Sequence, residues 1–332
     1  MLKAIEKALE AFAVGDALGM PTEFLTRRQI HAKVGEVKTL LDPKEISPIH
    51  KELEKGRITD DTEQMLYLIE AYYRAGRVNE TITGNALIKW VEETDADKKG
   101  YVGPGTLKAL KMIKSGGDIK EAGKRGTTCG SAMRVGAVSL TTPLGNYEEL
   151  RRRIYASSLI THNTNIAMES AMAVGYALHT AMLKTSVEDI MSKSLEGARI
   201  GREMSTFEYV GASTEERIKY IWEMHSKIDK KKEWLDFLYN VIGCGMEANE
   251  VVPVSMGIFF FSPENPWGCI KMGASIGGDT DTIAAISGIF SALYIRGHNI
   301  PGDILKYVLK INSLDLHEYA KMACDMQKKA DL

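Results

Sequence analysis

Residues 283–295 read IAAISGIFSALYI and are apolar on all sides. A helix with no polar face is typical of the core of a large protein, because it has no side that is suited to contact with solvent. The six residues before it, 277–282, read GGDTDT and supply two carboxylates and two hydroxyls. The sequence therefore predicts a buried helix whose first turn is crowded with oxygen atoms.

Helical periodicity recurs outward from this segment. Apolar side chains repeat at i, i+3, i+4 and i+7 in two further stretches, which are Ile5, Ala8, Leu9 and Phe12, and Met65, Leu68, Ile69 and Tyr72. Gly76 is placed to end the second of these helices, and the many alanines of residues 163–183 allow close helix packing. Strand signals are scarce, although residues 37–41 have a short strand-like pattern. We predict an all-α fold, with residues 1–332 forming a single compact domain.

The bulk composition excludes several classes of protein. The 332 residues include 42 Lys+Arg and 44 Asp+Glu, for a formal net charge of −2. So even a balance creates no strong field for nucleic acid or for an anionic membrane. Hydrophobic residues make up 44% of the chain, which is ordinary for a globular protein. We expect neither nucleic acid nor a membrane as partner.

The cysteines and the N-terminal residues bear on the cellular compartment. The four cysteines form no C-x-x-C pair and have no zinc-finger spacing to histidine, which argues against a disulfide framework and a structural zinc site. The first residues read MLKAIEKALEAF and lack the continuous apolar stretch of a signal peptide. We expect a cytoplasmic protein, for which a monomer is adequate.

A second acidic segment, Thr59-Asp60-Asp61-Thr62, precedes the stripe that starts at Met65. Asp and Thr are favoured N-caps, so capping explains either acidic segment by itself. One acid is enough for a cap, however, and each segment carries two. Two carboxylates about 4 Å apart repel by roughly 1 to 4 kcal/mol, depending on the effective dielectric. A bound divalent cation removes this cost.

The ligand atoms of both segments are carboxylate and hydroxyl oxygens, which suit Mg²⁺, Mn²⁺ or Ca²⁺. Four acids exceed what one Mg²⁺ takes from protein, so two ions that share a carboxylate are plausible if the segments converge. The run D-T-D-T is not an EF-hand loop, because Ile283 and Ala284 stand where that loop needs an oxygen ligand and a glycine. It also resembles the D-x-D of aspartyl-phosphate phosphatases, and that alternative stays open.

A third segment, residues 15–23, places two more acids near the N-terminus. Asp16 lies on the stripe of Phe12, so we expect it to be partly buried and to need a partner such as a backbone amide, an arginine or a metal-bound water. Pro21 forces a turn that leaves Glu23 on a loop. By itself, Glu23 reads as a surface glutamate.

Several glycine-rich turns open helices elsewhere. They are Gly103-Pro104-Gly105-Thr106, residues 127–134 and Thr161-His162-Asn163, where Asn163 is a candidate N-cap. Free amides at helix starts bind phosphate, but turn chemistry accounts for such glycines about as often. A lone histidine such as His162 is usually structural.

The order of these motifs resembles the ADP-ribosylglycohydrolase family. The motifs are G-D-A-L-G-x-x-x-E at 15–23, T-D-D-T at 59–62, G-S-A-M-R at 130–134, S-x-x-T-H at 158–162 and G-G-D-T-D-T at 277–282. The resemblance runs from about residue 10 to residue 300, and it implies an all-α fold with a binuclear magnesium or manganese centre in a cleft.

The resemblance also implies roles for individual residues. It implies metal ligation by Thr59, Asp60, Asp61, Asp279, Asp281 and Thr282, with Mg²⁺ as the expected ion and Mn²⁺ as the alternative. Glu23 matches the family's mobile glutamate near the scissile bond, and it or a metal-site aspartate such as Asp61 is expected to act as the catalytic acid or base. Substrate contacts are implied for Gly130, Ser131, Met133, Arg134 and His162, and similar contacts are implied for Gly103, Gly105 and Thr106. The family's third motif commonly has asparagine where this chain has Cys129.

The function implied is hydrolysis of the glycosidic bond at the anomeric carbon of an ADP-ribosyl group, on a protein or a small compound, with release of ADP-ribose. Two alternatives belong to other classes. One is a non-catalytic, crystallin-like member of the same fold, and the other is a metal-dependent phosphohydrolase. Release of inorganic phosphate from simple esters would distinguish the phosphohydrolase.

Overall fold

The structure is a computed structural model that describes residues 1–99 and 102–328. Every regular element in these two ranges is helical, and pairing between extended segments is limited to isolated bridges at Thr128–Glu247 and Thr164–Phe207. The prediction of an all-α fold is confirmed. Residues 37–41, with their strand-like pattern, form bends and coil.

Twenty α-helices lie within the described ranges. In chain order they are α1 (Leu2–Gly19), α2 (Arg27–Val34), α3 (Pro43–Ile46), α4 (Asp60–Ala75), α5 (Glu80–Thr94), α6 (Ala96–Lys99), α7 (Pro104–Lys114), α8 (Ile119–Ala122), α9 (Gly130–Arg134), α10 (Gly136–Thr141), α11 (Tyr147–Ser158), α12 (Asn165–Ala181), α13 (Val187–Met204), α14 (Thr214–His225), α15 (Lys231–Phe237), α16 (Ala248–Phe261), α17 (Pro266–Ile276), α18 (Thr280–Ile295), α19 (Gly302–Ile311) and α20 (Leu316–Lys328). A 3₁₀ turn covers Met20–Thr22 and a π turn covers Leu238–Ile242. None of the helices so described is long and apolar enough to cross a membrane.

The chain divides into two compact units. The first unit comprises Met1–Asp61, Glu216–Met246 and Glu250–His317. The second comprises the described parts of Thr62–Glu215, Glu247–Asn249 and Glu318–Leu332. That residues 1–332 form a single domain stays a prediction.

The core of the first unit is built on α1, α17 and α18. Small residues let α1 and α18 approach closely, since a Cβ atom at Gly15 would lie 2.6 Å from the carbonyl oxygen of Ala284. A Cβ atom at Gly19 would lie 2.3 Å from the carbonyl oxygen of Thr280. Both contacts are far shorter than van der Waals distance, so a larger side chain would push the helices apart. The acidic start of α18 is thereby held against the last turn of α1.

The core of the second unit is built around α12, the helix predicted from residues 163–183. Every residue from Ile166 to Ala181 is buried, and α12 packs against α9, α10, α11 and α13. The prediction that Asn163 caps this helix is wrong. Thr164 is the N-cap and its hydroxyl accepts a hydrogen bond from the amide of Ala167 at 3.3 Å, while Asn163 donates from its side chain to the carbonyl oxygen of Lys120 at 3.1 Å.

Candidate metal centre

Two helix starts bring acidic residues together in the first unit. Helix α4 begins at Asp60 and α18 begins at Thr280. The hydroxyl oxygen of Thr59 lies 3.5 Å from Oδ2 of Asp281, which joins the two segments. Three carboxylates here are almost fully buried, since Asp61 is 2% exposed and Asp279 and Asp281 are each 4% exposed.

Asp16 holds the first of these segments in place. It is fully buried on α1, and its carboxylate accepts hydrogen bonds from the backbone amide of Thr59 at 3.0 Å and from the Thr59 hydroxyl at 2.9 Å. A buried carboxylate needs such partners to offset the cost of leaving water. Asp16 is buried, as expected, and a backbone amide, one of the three expected kinds of partner, is observed. Thr59 is fixed as a result.

Capping does not account for Asp279. This residue occupies the N-cap position of α18, yet its side chain makes no capping hydrogen bond. Among the residues that the structure describes, Oδ2 of Asp61 and Oδ1 of Asp281 are buried and have no hydrogen-bond partner. Buried carboxylate oxygens are almost always satisfied, so these two oxygens are suited to binding a cation.

The electrostatics of the cluster point the same way. Burial raises the pKa of the Asp61 carboxyl well above its ordinary value, and the negative charges of Asp16 and Asp60 raise it further. The pKa of Asp281 is likewise raised well above its ordinary value by burial and then by the charge of Glu23. Carboxylates that resist ionisation together lose this penalty when a divalent cation lies between them. The donor set therefore fits hard divalent metal ions.

Two glycines shape the backbone that leads into α18. Gly277 and Gly278 have φ values of +96° and +82°, which are unfavourable for any other residue. The amide of Gly278 donates to the carbonyl oxygen of Leu25 at 2.9 Å, and the Gly278 carbonyl oxygen accepts from the amide of Phe24 at 2.8 Å. This pair of hydrogen bonds ties the loop that carries Glu23 to the acidic start of α18.

Glu23 follows the 3₁₀ turn that contains Pro21, as the sequence predicts. Its side chain is 13% exposed, so it is not the freely solvated glutamate that its sequence position alone suggests. Burial raises the pKa of Glu23 above its ordinary value, although the hydrogen bond from His50 opposes this. Asp281 lies close enough to interact with it.

His50 is a site residue that the sequence did not reveal. Its Nε2 atom lies 2.5 Å from Oε2 of Glu23, and its side chain is 3% exposed. One donor atom each from Glu23, His50 and Asp281 lie within 4.8 Å of one another. The sequence around His50 is a polar connection without periodicity, and nothing in it signals a buried imidazole.

In the second unit, a buried network links Arg134 and His162. Arg134 is 1% exposed and donates to the carbonyl oxygen of Gly130 at 3.0 Å and to Oγ1 of Thr161 at 2.5 Å. The Thr161 hydroxyl lies 2.7 Å from Nδ1 of His162, whose Nε2 lies 3.1 Å from Oγ1 of Thr128. Burial, followed by the charge of Arg134, lowers the pKa of His162 to about 3. This histidine is therefore neutral at physiological pH, and the network fixes the segment from Thr128 to Arg134.

The remaining residues implied by the resemblance also lie in the second unit. Ser131 and Met133 are buried on α9, and the Ser131 hydroxyl is a further buried oxygen without a hydrogen-bond partner in the described part of the chain. Gly103 and Gly105 are exposed at the start of α7, and Thr106 is 8% exposed on its first turn. The structure thus joins Gly130, Arg134 and His162 in one network, while Gly103, Gly105 and Thr106 stand at another helix start.

Comparison with known proteins identifies the family. The family model for ADP-ribosylglycohydrolase matches residues 2–331, nearly the entire sequence. This chain belongs to the ADP-ribosylglycohydrolase family.

Relatives of the ADP-ribosylglycohydrolase chain come from bacteria and vertebrates. Protein YegU of Escherichia coli is 29% identical over 94% of both chains. The ADP-ribosylarginine hydrolase Tri1 of Serratia proteamaculans is 24% identical over 89% of this chain and 72% of its own. The human ADP-ribosylhydrolase ARH3 is 23% identical over 90% and 87%, respectively.

A solved structure described as an ADP-ribosylglycohydrolase-related protein complex has the same fold. It superposes with a TM-score of 0.70 at 22% identity and covers 98% of both chains. At this identity the likeness shows the fold. The all-α fold of the ADP-ribosylglycohydrolase type, predicted from the order of the motifs, is confirmed.

Cys129 stands at the position where the ADP-ribosylglycohydrolase motif commonly has asparagine. It is 7% exposed at the N-cap of α9, and its side chain makes no capping hydrogen bond to that helix. Its carbonyl oxygen accepts from the amide of Met133 at 3.0 Å. This backbone hydrogen bond closes the first turn of α9.

Proposed function

We propose that this chain is a divalent-metal-dependent hydrolase that cleaves the N- or O-glycosidic bond at the anomeric ribose carbon of ADP-ribosylated proteins or small ADP-ribosyl compounds, releasing ADP-ribose. The observation that carries the proposal is the pair of buried, unpartnered carboxylate oxygens on Asp61 and Asp281, in a chain of the ADP-ribosylglycohydrolase family. Burying carboxylate oxygens without a hydrogen-bond partner is unfavourable, and a bound cation would offset this cost.

Two divalent cations, Mg²⁺ or alternatively Mn²⁺, are the proposed cofactors. Their proposed ligands are the hydroxyl and carboxylate oxygens of Thr59, Asp60, Asp61, Asp279, Asp281 and Thr282. When bound, such ions hold ribose hydroxyls and lower the pKa of a coordinated water. Asp16 keeps Thr59 oriented through two hydrogen bonds, and the hydrogen bond from Asp279 N to Cys244 O, at 2.9 Å, fixes the other segment.

The acid–base work is assigned to Glu23 and Asp61. A carboxyl group whose pKa is raised retains a proton closer to neutral pH and can donate it to a leaving group. Glu23 and Asp61 both meet this condition because they are shielded from water. Hydrolysis of a glycosidic bond passes through an oxocarbenium-like state and uses two carboxyl groups in most glycosidases.

The residues for which the resemblance implies substrate contacts are assigned to binding rather than to bond cleavage. They are Gly130, Ser131, Met133, Arg134 and His162, together with Gly103, Gly105 and Thr106. The unpartnered hydroxyl of Ser131 supports this assignment, whereas the buried guanidinium of Arg134 supports a positioning role through Gly130 and Thr161. Affinity for groups remote from the reacting carbon is a source of catalytic power.

The test measures the release of free ADP-ribose from arginine-linked and serine-linked ADP-ribosyl peptides. Reactions contain either Mg²⁺ or a chelator, and the product is quantified by chromatography. Release is expected with Mg²⁺ but not with the chelator. The rate of release with Mg²⁺ is expected to fall by roughly a hundredfold or more in Asp281→Asn. The matched control is Asp303→Asn, which alters an exposed aspartate in the first turn of α19. Equal turnover in the chelator overturns the metal assignment, and release of phosphate from simple esters without ADP-ribose overturns the substrate class.

A further inference from the structure

An imidazole faces two carboxylates at the centre described above. Nε2 of His50 and one carboxylate oxygen each of Glu23 and Asp281 lie within 4.8 Å of one another, and the three side chains are largely shielded from water. A mixed nitrogen and oxygen donor set differs from the all-oxygen set that the sequence predicts. Imidazole is a good ligand for transition metals, whereas Mg²⁺ takes oxygen almost exclusively.

Each of the three donors is carried by a fixed piece of backbone. The backbone amides of Ile49 and His50 both donate to the hydroxyl of the buried Ser47, at 3.2 and 2.8 Å. The loop of Glu23 is tied to Gly278, and Asp281 lies in the first turn of α18. A specific metal site requires pre-organised donors, because little free energy is then lost in ordering the side chains when the ion binds.

A second observation comes from Asp281 itself. Its Oδ1 atom is buried and has no hydrogen-bond partner among the described residues, in a side chain that is 4% exposed. A cation bound at Asp281 satisfies this oxygen, and Glu23 and His50 each have a donor atom within 4.8 Å of an Asp281 carboxylate oxygen.

We propose that Glu23, His50 and Asp281 bind one divalent transition-metal ion, with Nε2 of His50 as a nitrogen ligand. The inference deepens the metal-dependent function proposed above and rests on it. While Glu23 is bound to the ion, the acid–base work falls to Asp61, the other carboxyl assigned to it. One metal position is then mixed in donor type and the other is supplied by oxygen alone. The mixed position favours Mn²⁺ and its heavier neighbours over Mg²⁺.

The distance between His50 and Glu23 is compatible with this role. Their 2.5 Å contact is a hydrogen bond that holds one proton. An ion bound to both atoms takes the place of that proton, which is released on binding. Adjacent ligands about 2.1 Å from an ion lie roughly 3 Å apart, so the pair must open by about half an ångström. Side-chain rotation supplies that much movement.

The experiment is pulsed electron paramagnetic resonance of the Mn²⁺-loaded, full-length protein. Coupling of the Mn²⁺ electron spin to a directly bound ¹⁴N nucleus is expected in the wild type, and it should change when all histidines carry ¹⁵N. The coupling should disappear in His50→Gln. It should persist in His298→Gln, a matched control in which another buried histidine, 2.6 Å from Oε2 of Glu10, is removed.

The outcomes separate this inference from the proposed function. Bound Mn²⁺ without nitrogen coupling overturns the role of His50 and leaves an all-oxygen metal enzyme standing. Coupling that survives in His50→Gln assigns the nitrogen to another residue and also overturns the inference. Failure to bind Mn²⁺ or Mg²⁺ at all overturns both. If His50→Gln does not fold, the ¹⁵N-histidine sample still decides whether histidine is a ligand.

Discussion

The carboxylate of Asp16 accepts hydrogen bonds from both the backbone amide and the hydroxyl of Thr59, a residue 43 positions later in the chain. A single carboxylate on α1 therefore sets both the backbone position and the rotamer of a proposed metal ligand. Partners of this kind orient ligands, and their loss weakens metal binding even though they do not touch the ion.

The first prediction concerns this pair. Asp16→Asn replaces one acceptor oxygen with an amide donor and so weakens the hold on Thr59. We expect the affinity for Mg²⁺, measured by calorimetry, to fall about ten- to hundredfold, while far-ultraviolet circular dichroism stays that of a helical protein. Asp303→Asn serves as the control for loss of one acidic charge. Unchanged Mg²⁺ affinity in Asp16→Asn would show that Thr59 is held without it.

The second prediction concerns charge crowding in the absence of metal. Asp61 is buried near the negative charges of Asp16, Asp60 and Asp279. Asp61→Asn replaces the Asp61 carboxylate with a neutral amide of nearly the same volume, and so removes its repulsion with these neighbours. In chelator, we expect this variant to be more stable than the wild type by on the order of 1 kcal/mol, seen as a higher melting temperature.

Addition of Mg²⁺ should reverse that order. The wild type gains stability from the bound ion, whereas Asp61→Asn has lost a proposed ligand and should gain much less. A variant that is less stable than the wild type in chelator as well would mean that Asp61 is stabilised by protein contacts and not by a cation.

Much of the fold could be predicted from periodicity, because the pattern of a long amphipathic or fully apolar helix is contained within its own stretch of sequence. The stripe from Met65 to Tyr72 and the apolar run of residues 283–295 correspond to α4 and α18. The end of α4 before Gly76 also followed, since Gly76 has the left-handed φ of +68° that a helix terminator needs. Excess charge at two helix starts likewise pointed to a shared cation.

What periodicity could not reveal depends on tertiary contacts. His50 meets Glu23 across 27 residues of chain, through a connection with no repeating pattern. The N-cap of α12 is Thr164 rather than Asn163, because the backbone of Asn163 is committed to Gly123 and Phe207. Both facts depend on distant backbone, which a local pattern does not contain.

The third prediction concerns the glycine before Asp279. A Cβ atom at Gly278 would lie 1.6 Å from the carbonyl oxygen of Cys244, and φ is +82°. We expect Gly278→Ala to lower the free energy of unfolding in urea by several kcal/mol, from the backbone strain of about 1–2 kcal/mol together with the clash.

Gly116 provides the matched control for the third prediction. Its φ of +81° is nearly the same, but no atom lies within 4 Å of a Cβ atom placed there. Gly116→Ala should therefore show the backbone strain alone, about 1–2 kcal/mol. Equal losses in the two variants would mean that the approach of Cys244 to Gly278 relaxes easily and does not fix the start of α18.

The fourth prediction concerns acid stability and His162. Its pKa is lowered to about 3 in the folded protein by burial and by Arg134, whereas an unfolded histidine titrates near 6.5. Between these values the unfolded chain binds a proton that the folded chain does not, so stability falls as pH falls below about 6.5. Between about pH 7.5 and 5.5 this single group costs about 1.4 kcal/mol.

Urea unfolding at these two pH values measures this contribution. The stability advantage of the wild type over His162→Gln should shrink by about 1.4 kcal/mol on going to the lower pH, because the variant has no proton to take up at that position. Thr128→Val removes a partner 3.1 Å from Nε2 of His162 but keeps the imidazole. Its deficit should therefore be the same at both pH values. If the His162→Gln deficit is also independent of pH, the imidazole takes up its proton in the folded protein over the same pH range as in the unfolded chain, and the network with Thr161 is differently arranged.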